Sequence, residues 1–142
     1  MAQYKKEINA MLLRVVEQGL NQGAMRKRTS GRIGFDELLI LQHIHQFENL
    51  PITKLMDDMR FDRSTFHSVL QKLLKAKWVE KRQMAEDKRM VHVRLTDKGL
   101  QLLEAETEQL EDGLAYLLKD LTVNEEKGVL KFLSKLHQYI KA

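Results

Sequence analysis

Between Met90 and Thr96 the chain changes its rhythm. Val91, Val93 and Leu95 alternate with His92, Arg94 and Thr96, the two-residue period of a half-buried strand. Elsewhere apolar residues recur every three or four positions, the period of a helix buried along one side. The chain therefore has to place a small piece of sheet inside a mainly α-helical molecule. A partner run is at hand in Trp78 to Met84. Between the two runs, Ala85-Glu86-Asp87-Lys88-Arg89 makes a polar tip that closes a hairpin.

Helices flank this hairpin. Ile8, Met11, Leu12, Val15, Val16 and Leu20 define an amphipathic first helix, which gives way to a polar, Gly-containing loop from Arg26 to Arg32. Phe35 to Phe47 forms a second helix, with Leu38, Leu41, Ile44 and Phe47 on one side. Pro51, the only proline, suits the first turn of a short third helix that carries Leu55, Met56 and Met59 and runs to about Arg60. Asp62 is a good N-cap for a fourth helix, because its carboxylate accepts amides left orphaned in the first turn. That helix buries Phe66, Val69, Leu70, Leu73 and Leu74, and its other side shows Arg63, Ser64, His67, Ser68, Gln71, Lys72 and Lys75.

After the hairpin a long helix starts near Asp97. Its seam of Leu100, Leu103, Thr107, Leu110, Leu114, Leu117 and Leu121 steps by three and four, as in coiled-coil packing. Thr122 and Glu125 have the spacing of a capping box and open the last helix. Val129, Leu130, Phe132, Leu133, Leu136, Tyr139 and Ile140 cover much of its circumference, which calls for two neighbours.

Composition narrows the chemistry. The absence of cysteine removes disulfides, thiolate zinc sites and thiol redox switches. No apolar run approaches the roughly 18 residues of a membrane span, and the charged opening Lys5-Lys6-Glu7 is unlike a secretory signal, so a cytoplasmic protein without a membrane partner is expected. Residues 60–98 hold eleven Lys and Arg against five Asp and Glu, a balance of +6. Residues 99–121 hold one Lys against six acids, a balance of −5. A basic middle before an acidic helix suits one face that meets a polyanion and another held away from it, although scattered surface charge produces such runs too.

Short helix, turn, capped helix and polar-tipped hairpin is the order of a winged helix-turn-helix. An exposed helix fits the DNA major groove, and small hydroxyl residues such as Ser64, Thr65 and Ser68 allow close approach to base edges. Arg63, Lys72 and Lys75 can neutralise flanking phosphates, and Lys88 and Arg89 at the tip suit a narrow minor groove. The stretch from Asp87 to Gly99, with its Asp-x-Arg pair, strand and Leu95-Thr96-x-x-Gly99, resembles the wing signature of the MarR (multiple-antibiotic-resistance-type) regulators. Leu55-Met56 and Asp62-Arg63-Ser64-Thr65 followed by Leu73 resemble that family's helix-turn-helix, and the similarity covers about residues 35–100. The resemblance implies that Arg89 enters the minor groove with Asp87 holding it, that Ser64, Thr65, His67 and Ser68 face the major groove, and that the first, fifth and sixth helices form a homodimer. It departs at Arg60 and Lys77, where the family usually has glycine; a left-handed backbone there would cost roughly 1 kcal/mol each.

Blander readings stand beside these. Asp87 and Arg89 could form a plain surface ion pair, worth about 0–1 kcal/mol. The basic stretch Arg26 to Arg32 reads as a solvated loop in preference to a phosphate-contacting one. His43 and His45, two apart on a helix, do not face one another, and with His67, His92 and His137 they assemble no ligand set, so no metal or cofactor is expected. The methionines suit core gaps or an adaptable pocket lining. No phosphate-cradling glycine loop, activated cysteine or paired carboxylates support catalysis. The expectation is a mainly α single domain over 1–142. It holds a winged helix-turn-helix lobe at 35–99 and a helical dimerisation region at 1–24 and 100–142. Two such subunits regulate transcription, as repressor or activator, on a pseudo-palindromic operator in double-stranded DNA. A small-molecule effector of unassigned identity, bound between dimer base and DNA-binding lobe, fits this scheme. The rival from another class is a winged-helix protein-interaction module that has lost specific DNA reading.

Overall fold

A computed structural model describes residues 4–19, 32–47, 50–59, 61–83, 86–87 and 89–141. Helix α1 spans Lys5–Gly19 and α2 spans Phe35–Gln46. Strand β1 (Leu50–Pro51) leads directly into α3 (Ile52–Asp58), and α4 follows at Arg63–Lys75. Strands β2 (Val79–Gln83) and β3 (Val91–Leu95) form the hairpin. Helices α5 (Asp97–Leu118) and α6 (Val123–Lys141) complete the described chain. The architecture is mainly α with a small antiparallel sheet. The loop expected before Arg32, Leu20, Arg60 and Lys88 lie outside the described residues.

The hairpin has the alternating register expected of it. Val79 pairs with Leu95, Lys81 with Val93 and Gln83 with Val91. One strand was not foreseen. Leu50 and Pro51 pair with Val93 and His92, so among the described residues the sheet has three strands in the order β1-β3-β2. Pro51 lacks an N–H, and the edge of a sheet is where a strand tolerates that loss. It also caps α3 rather than sitting within its first turn.

The chain divides into two compact units, residues 1–109 and 110–142. In the first, Leu38, Ile40, Leu41 and Ile44 of α2, Leu55 of α3, and Phe66, Val69, Leu70 and Leu73 of α4 are buried with Val79 and Val93 of the sheet. Phe66 is wholly enclosed; truncating such a side chain to Ala typically costs about 3–5 kcal/mol. Three details differ from the sequence reading. Phe47 is exposed because it is the residue on which α2 ends, Ile40 is buried in its place, and Leu74 is half-buried. At the start of α5, Gly99, Leu102, Leu103 and Glu106 turn inward, while the expected seam position Leu100 is half-buried. Arg32 Nη2 lies 3.4 Å from the buried Glu106 Oε1.

In the second unit Thr122 and Glu125 close the capping box. Thr122 N donates to Glu125 Oε1 at 3.0 Å, and Glu125 N donates to Thr122 Oγ1 at 3.2 Å. Leu121 lies past the end of α5, in a turn where its amide donates to the Leu118 carbonyl at 2.9 Å. No residue of α6 is buried, and Leu130, Phe132, Leu133 and Ile140 are all exposed. In the first unit α1 shows the same character, with Ile8, Met11, Val15 and Val16 exposed. Among the described residues, no helix is long and apolar enough to cross a membrane.

Candidate nucleic-acid interface

Helix α4 begins where Asp62 makes it begin. The Asp62 backbone is extended, and its Oδ1 accepts from Thr65 N at 2.7 Å while Oδ2 accepts from Thr65 Oγ1 at 2.9 Å. Those bonds favour the charged form and hold the Asp62 carboxyl below its ordinary range, the Thr65 amide contributing most. The Thr65 hydroxyl is thus committed to the cap, and the residue is half-buried. Arg63, Ser64, His67, Ser68, Gln71, Lys72 and Lys75 are all exposed. Their recurrence every three or four residues puts them on one side, opposite Phe66, Val69, Leu70 and Leu73. Three cations, two exposed hydroxyls, an amide and an imidazole offer donors and acceptors over three turns, with no acidic side chain among them.

The helix ends in a turn closed by two backbone bonds. Lys77 N donates to Leu74 O at 3.0 Å and Trp78 N donates to Leu73 O at 3.1 Å. This Schellman arrangement demands a left-handed residue, and Lys77 supplies it with φ 62°. A residue with a Cβ occupies the place glycine would take at least strain, as the sequence reading allowed for Lys77. The helix survives this departure because Lys77 O is held from outside by Thr96 Oγ1 at 2.6 Å.

At the hairpin tip, Asp87 Oδ1 accepts from Arg89 N at 3.0 Å and lies 3.5 Å from Arg89 Nε. Met90 N donates to Asp87 O at 3.1 Å, which closes the turn. The carboxylate therefore grips the backbone of Arg89 first and its guanidinium second. The Arg89 side chain remains 94% exposed.

Sequence reasoning passed over the polar face of the hairpin. Glu80 takes the guanidiniums of both Arg94 and Arg82, and Arg94 is the main reason its carboxyl lies below its ordinary range. Cross-strand register carried the signal, since Glu80 pairs with Arg94 and Arg82 with His92. Among the described residues, the buried His92 Nε2 has no hydrogen-bond partner. His43, by contrast, is engaged, its Nε2 3.2 Å from Asp58 Oδ2, and Asp58 also holds Lys54 Nζ at 2.8 Å. Among the described residues, no three His, Cys, Asp or Glu side chains are placed to hold a metal ion.

An exposed, capped helix followed by a hairpin, whose sheet an earlier short strand extends, matches a known domain. The family model of a winged helix DNA-binding domain matches residues 33–99. This segment is a winged helix. Solved structures agree over far more of the chain. Wild-type MarR from E. coli in its apo form is similar at 24% identity and a TM-score of 0.72, over 89% of this chain and 95% of that one. FabT from Streptococcus pneumoniae, solved in complex with DNA, is similar at 17% identity and a TM-score of 0.75, over 96% and 97%. The PcaV transcriptional regulator from Streptomyces coelicolor, in complex with its natural ligand, is similar at 19% identity and a TM-score of 0.67, over 89% of each chain. The resemblance read from the wing signature therefore holds for the fold, which is that of the MarR regulators. No curated protein matches the sequence.

Proposed function

We propose that this chain is a MarR-family transcription regulator, a homodimer that binds a pseudo-palindromic operator in double-stranded DNA through its winged helix. The observation that carries this reading is the exposed face of α4. Arg63, Lys72 and Lys75 bracket Ser64, His67 and Ser68 there, and no carboxylate interrupts them. In this reading α4 enters the major groove, Ser64, Thr65, His67 and Ser68 lie toward base edges, and the three cations contact phosphates. Thr65 contributes through its methyl group, since its hydroxyl serves Asp62. Arg89, braced by Asp87, reaches the adjacent minor groove with Lys88 beside it.

The exposed apolar sides of α1 and α6 support assembly through residues 1–24 and 100–142. Dimerisation would repeat the DNA-reading element about a two-fold axis and so explain a palindromic target. Repression by occupying the operator is the simplest outcome. The natural ligand bound to PcaV motivates a small-molecule effector here as well. The protein acts in this scheme as a binding protein of the cytoplasm and not as an enzyme.

A salt-titrated gel shift tests the proposal. Binding to random duplex should fall steeply with salt, as released counterions require. A selected inverted repeat should be retained at salt that releases random duplex. A chain that shifts neither duplex at low salt would be a protein-interaction module instead.

A further inference from the structure

The Thr96 hydroxyl joins two helices that the sequence separates by a hairpin. As a donor it binds Lys77 O at 2.6 Å, in the left-handed turn that ends α4. As an acceptor it takes Gly99 N at 3.1 Å, so that Thr96 is also the N-cap of α5. Around it, Thr96 N donates to Trp78 O at 3.0 Å, and Lys98 Nζ donates to Ala76 O at 3.2 Å. Gly99 is buried directly against the Trp78 backbone. Three successive residues after α4 (Ala76, Lys77 and Trp78) thus present their carbonyls to the first turn of α5. A hydroxyl uses both of its capacities here, and a group with only one of them could not bridge the two turns.

We propose that Thr96 is a positioning residue that welds the end of α4 to the start of α5, so that these helix ends move as one body and the setting of α5 fixes the pitch of the DNA-reading helix. The consequence for recognition rests on the DNA reading proposed above; the weld itself does not. Thr96 touches no DNA in this scheme. It acts on selectivity by limiting how far α4 can swing to meet half-sites at the wrong separation.

Three variants separate the weld from ordinary helix capping. Thr96→Ser keeps donor and acceptor. Thr96→Asp keeps the acceptor for Gly99 N but has no proton for Lys77 O, and Thr96→Val loses both. The chain has no native cysteine, so spin labels can be placed on Gln71→Cys in α4 and Glu104→Cys in α5, both exposed positions. The labelled full chain is diluted in unlabelled chain so that the distance is read within one subunit. A narrow distance distribution is expected for the parent and for Thr96→Ser, and a broadened one for Thr96→Asp and Thr96→Val. A narrow distribution in Thr96→Asp would mean that capping alone suffices and would overturn the weld, as would a broad one in the parent. If Thr96→Val does not fold, the Ser and Asp pair still decides. On DNA, Thr96→Asp should lose about fivefold in discrimination between inverted repeats of correct and altered spacing, the effect of one net hydrogen bond. Uniform weakening at every spacing would overturn the role in selectivity. A parent chain that shifts no duplex would sink the DNA reading while the spin-label distances still judge the weld.

Discussion

Gly99 has no room for a side chain because of Trp78. A Cβ at Gly99 would meet the Trp78 carbonyl carbon at 2.8 Å and the oxygen closer still. Both partners are backbone, so neither can rotate away. Gly99→Ala must push α5 off the end of α4, and overpacking of this kind costs roughly 1–3 kcal/mol or more. Urea denaturation should show the loss as a lower midpoint with little change in slope. Gly113 and Gly128, where a Cβ would meet nothing within 4 Å among the described residues, are the controls. Alanine there should be neutral or mildly stabilising, as expected for helical glycine in open space.

Asp62 gives the stability of α4 a pH dependence whose direction is set by its hydrogen bonds. Its carboxyl is held below the ordinary value of 3.8 by the Thr65 amide and hydroxyl. A folded-state value below the unfolded one means that the charged cap stabilises fully above 3.8. That contribution disappears as pH falls through the lower folded value. Asp62→Ala should therefore melt below the parent at neutral pH, and the gap should close in acid. Thermal melts from pH 7 down to 2 would follow it; a gap that stays constant throughout would separate the cap from the titration.

How much of this was legible depended on how local each cause is. Asp62 capping α4 and Thr122 pairing with Glu125 require only residues three apart, and both stand as read. The hairpin was legible because Val91, Val93 and Leu95 keep period two against β2. Leu50 and Pro51 were missed as a strand, since two residues show no period and proline argues against pairing. Only β3 beside them makes them sheet. Leu121 continued the leucine spacing on paper, but the chain has already turned at Leu118. The Thr96 motif was visible, whereas its link to Lys77 was not. That link depends on a left-handed φ at one residue and on hairpin register bringing residue 96 back beside residue 77.

Arg89 is held chiefly by its backbone, and its side chain stays exposed beside its ion pair with Asp87. Arg89→Ala should weaken operator binding by roughly 1–3 kcal/mol at fixed salt and leave the melting temperature unchanged. Asp87→Asn keeps an acceptor for the Arg89 amide and should lose less affinity than Asp87→Ala, which keeps none. Fluorescence anisotropy with a labelled operator distinguishes the two. Equal losses would place the charge of Asp87, and not its grip on the turn, at the centre of the wing.

The exposed apolar residues of α1 and α6 make a monomer an uncomfortable state. Light scattering at micromolar concentration should return about twice the 16.7 kDa of one chain. Phe132→Glu and Leu133→Glu, both at exposed positions of α6, should shift the mass toward the monomer with the helix content retained. A parent chain at 16.7 kDa would remove the dimer from the proposed function.

Reading bases and holding phosphates should separate on α4. Ser68 is exposed between Arg63 and Lys72, and its short side chain reaches a base edge only if the helix lies deep in the groove. Lys72 and Lys75 extend from the last turn, where a long flexible ammonium reaches the sugar-phosphate wall from a range of positions. Ser68→Ala should therefore change preference at particular operator positions with a small change in overall affinity. Lys72→Ala should weaken specific and random duplex by similar factors, and lower the slope of log affinity against log salt by about one phosphate contact. Half-sites should be centred roughly 10 base pairs apart, because two helices related by a two-fold axis must meet equivalent groove faces. Selection from a randomised duplex pool, run with the parent and both variants at two salt concentrations, tests all three statements together. A Lys72 variant with altered base preference would mean that α4 is rotated about its axis from the assigned pose. Lys72 would then belong among the base-reading residues and Ser68 among the backbone contacts.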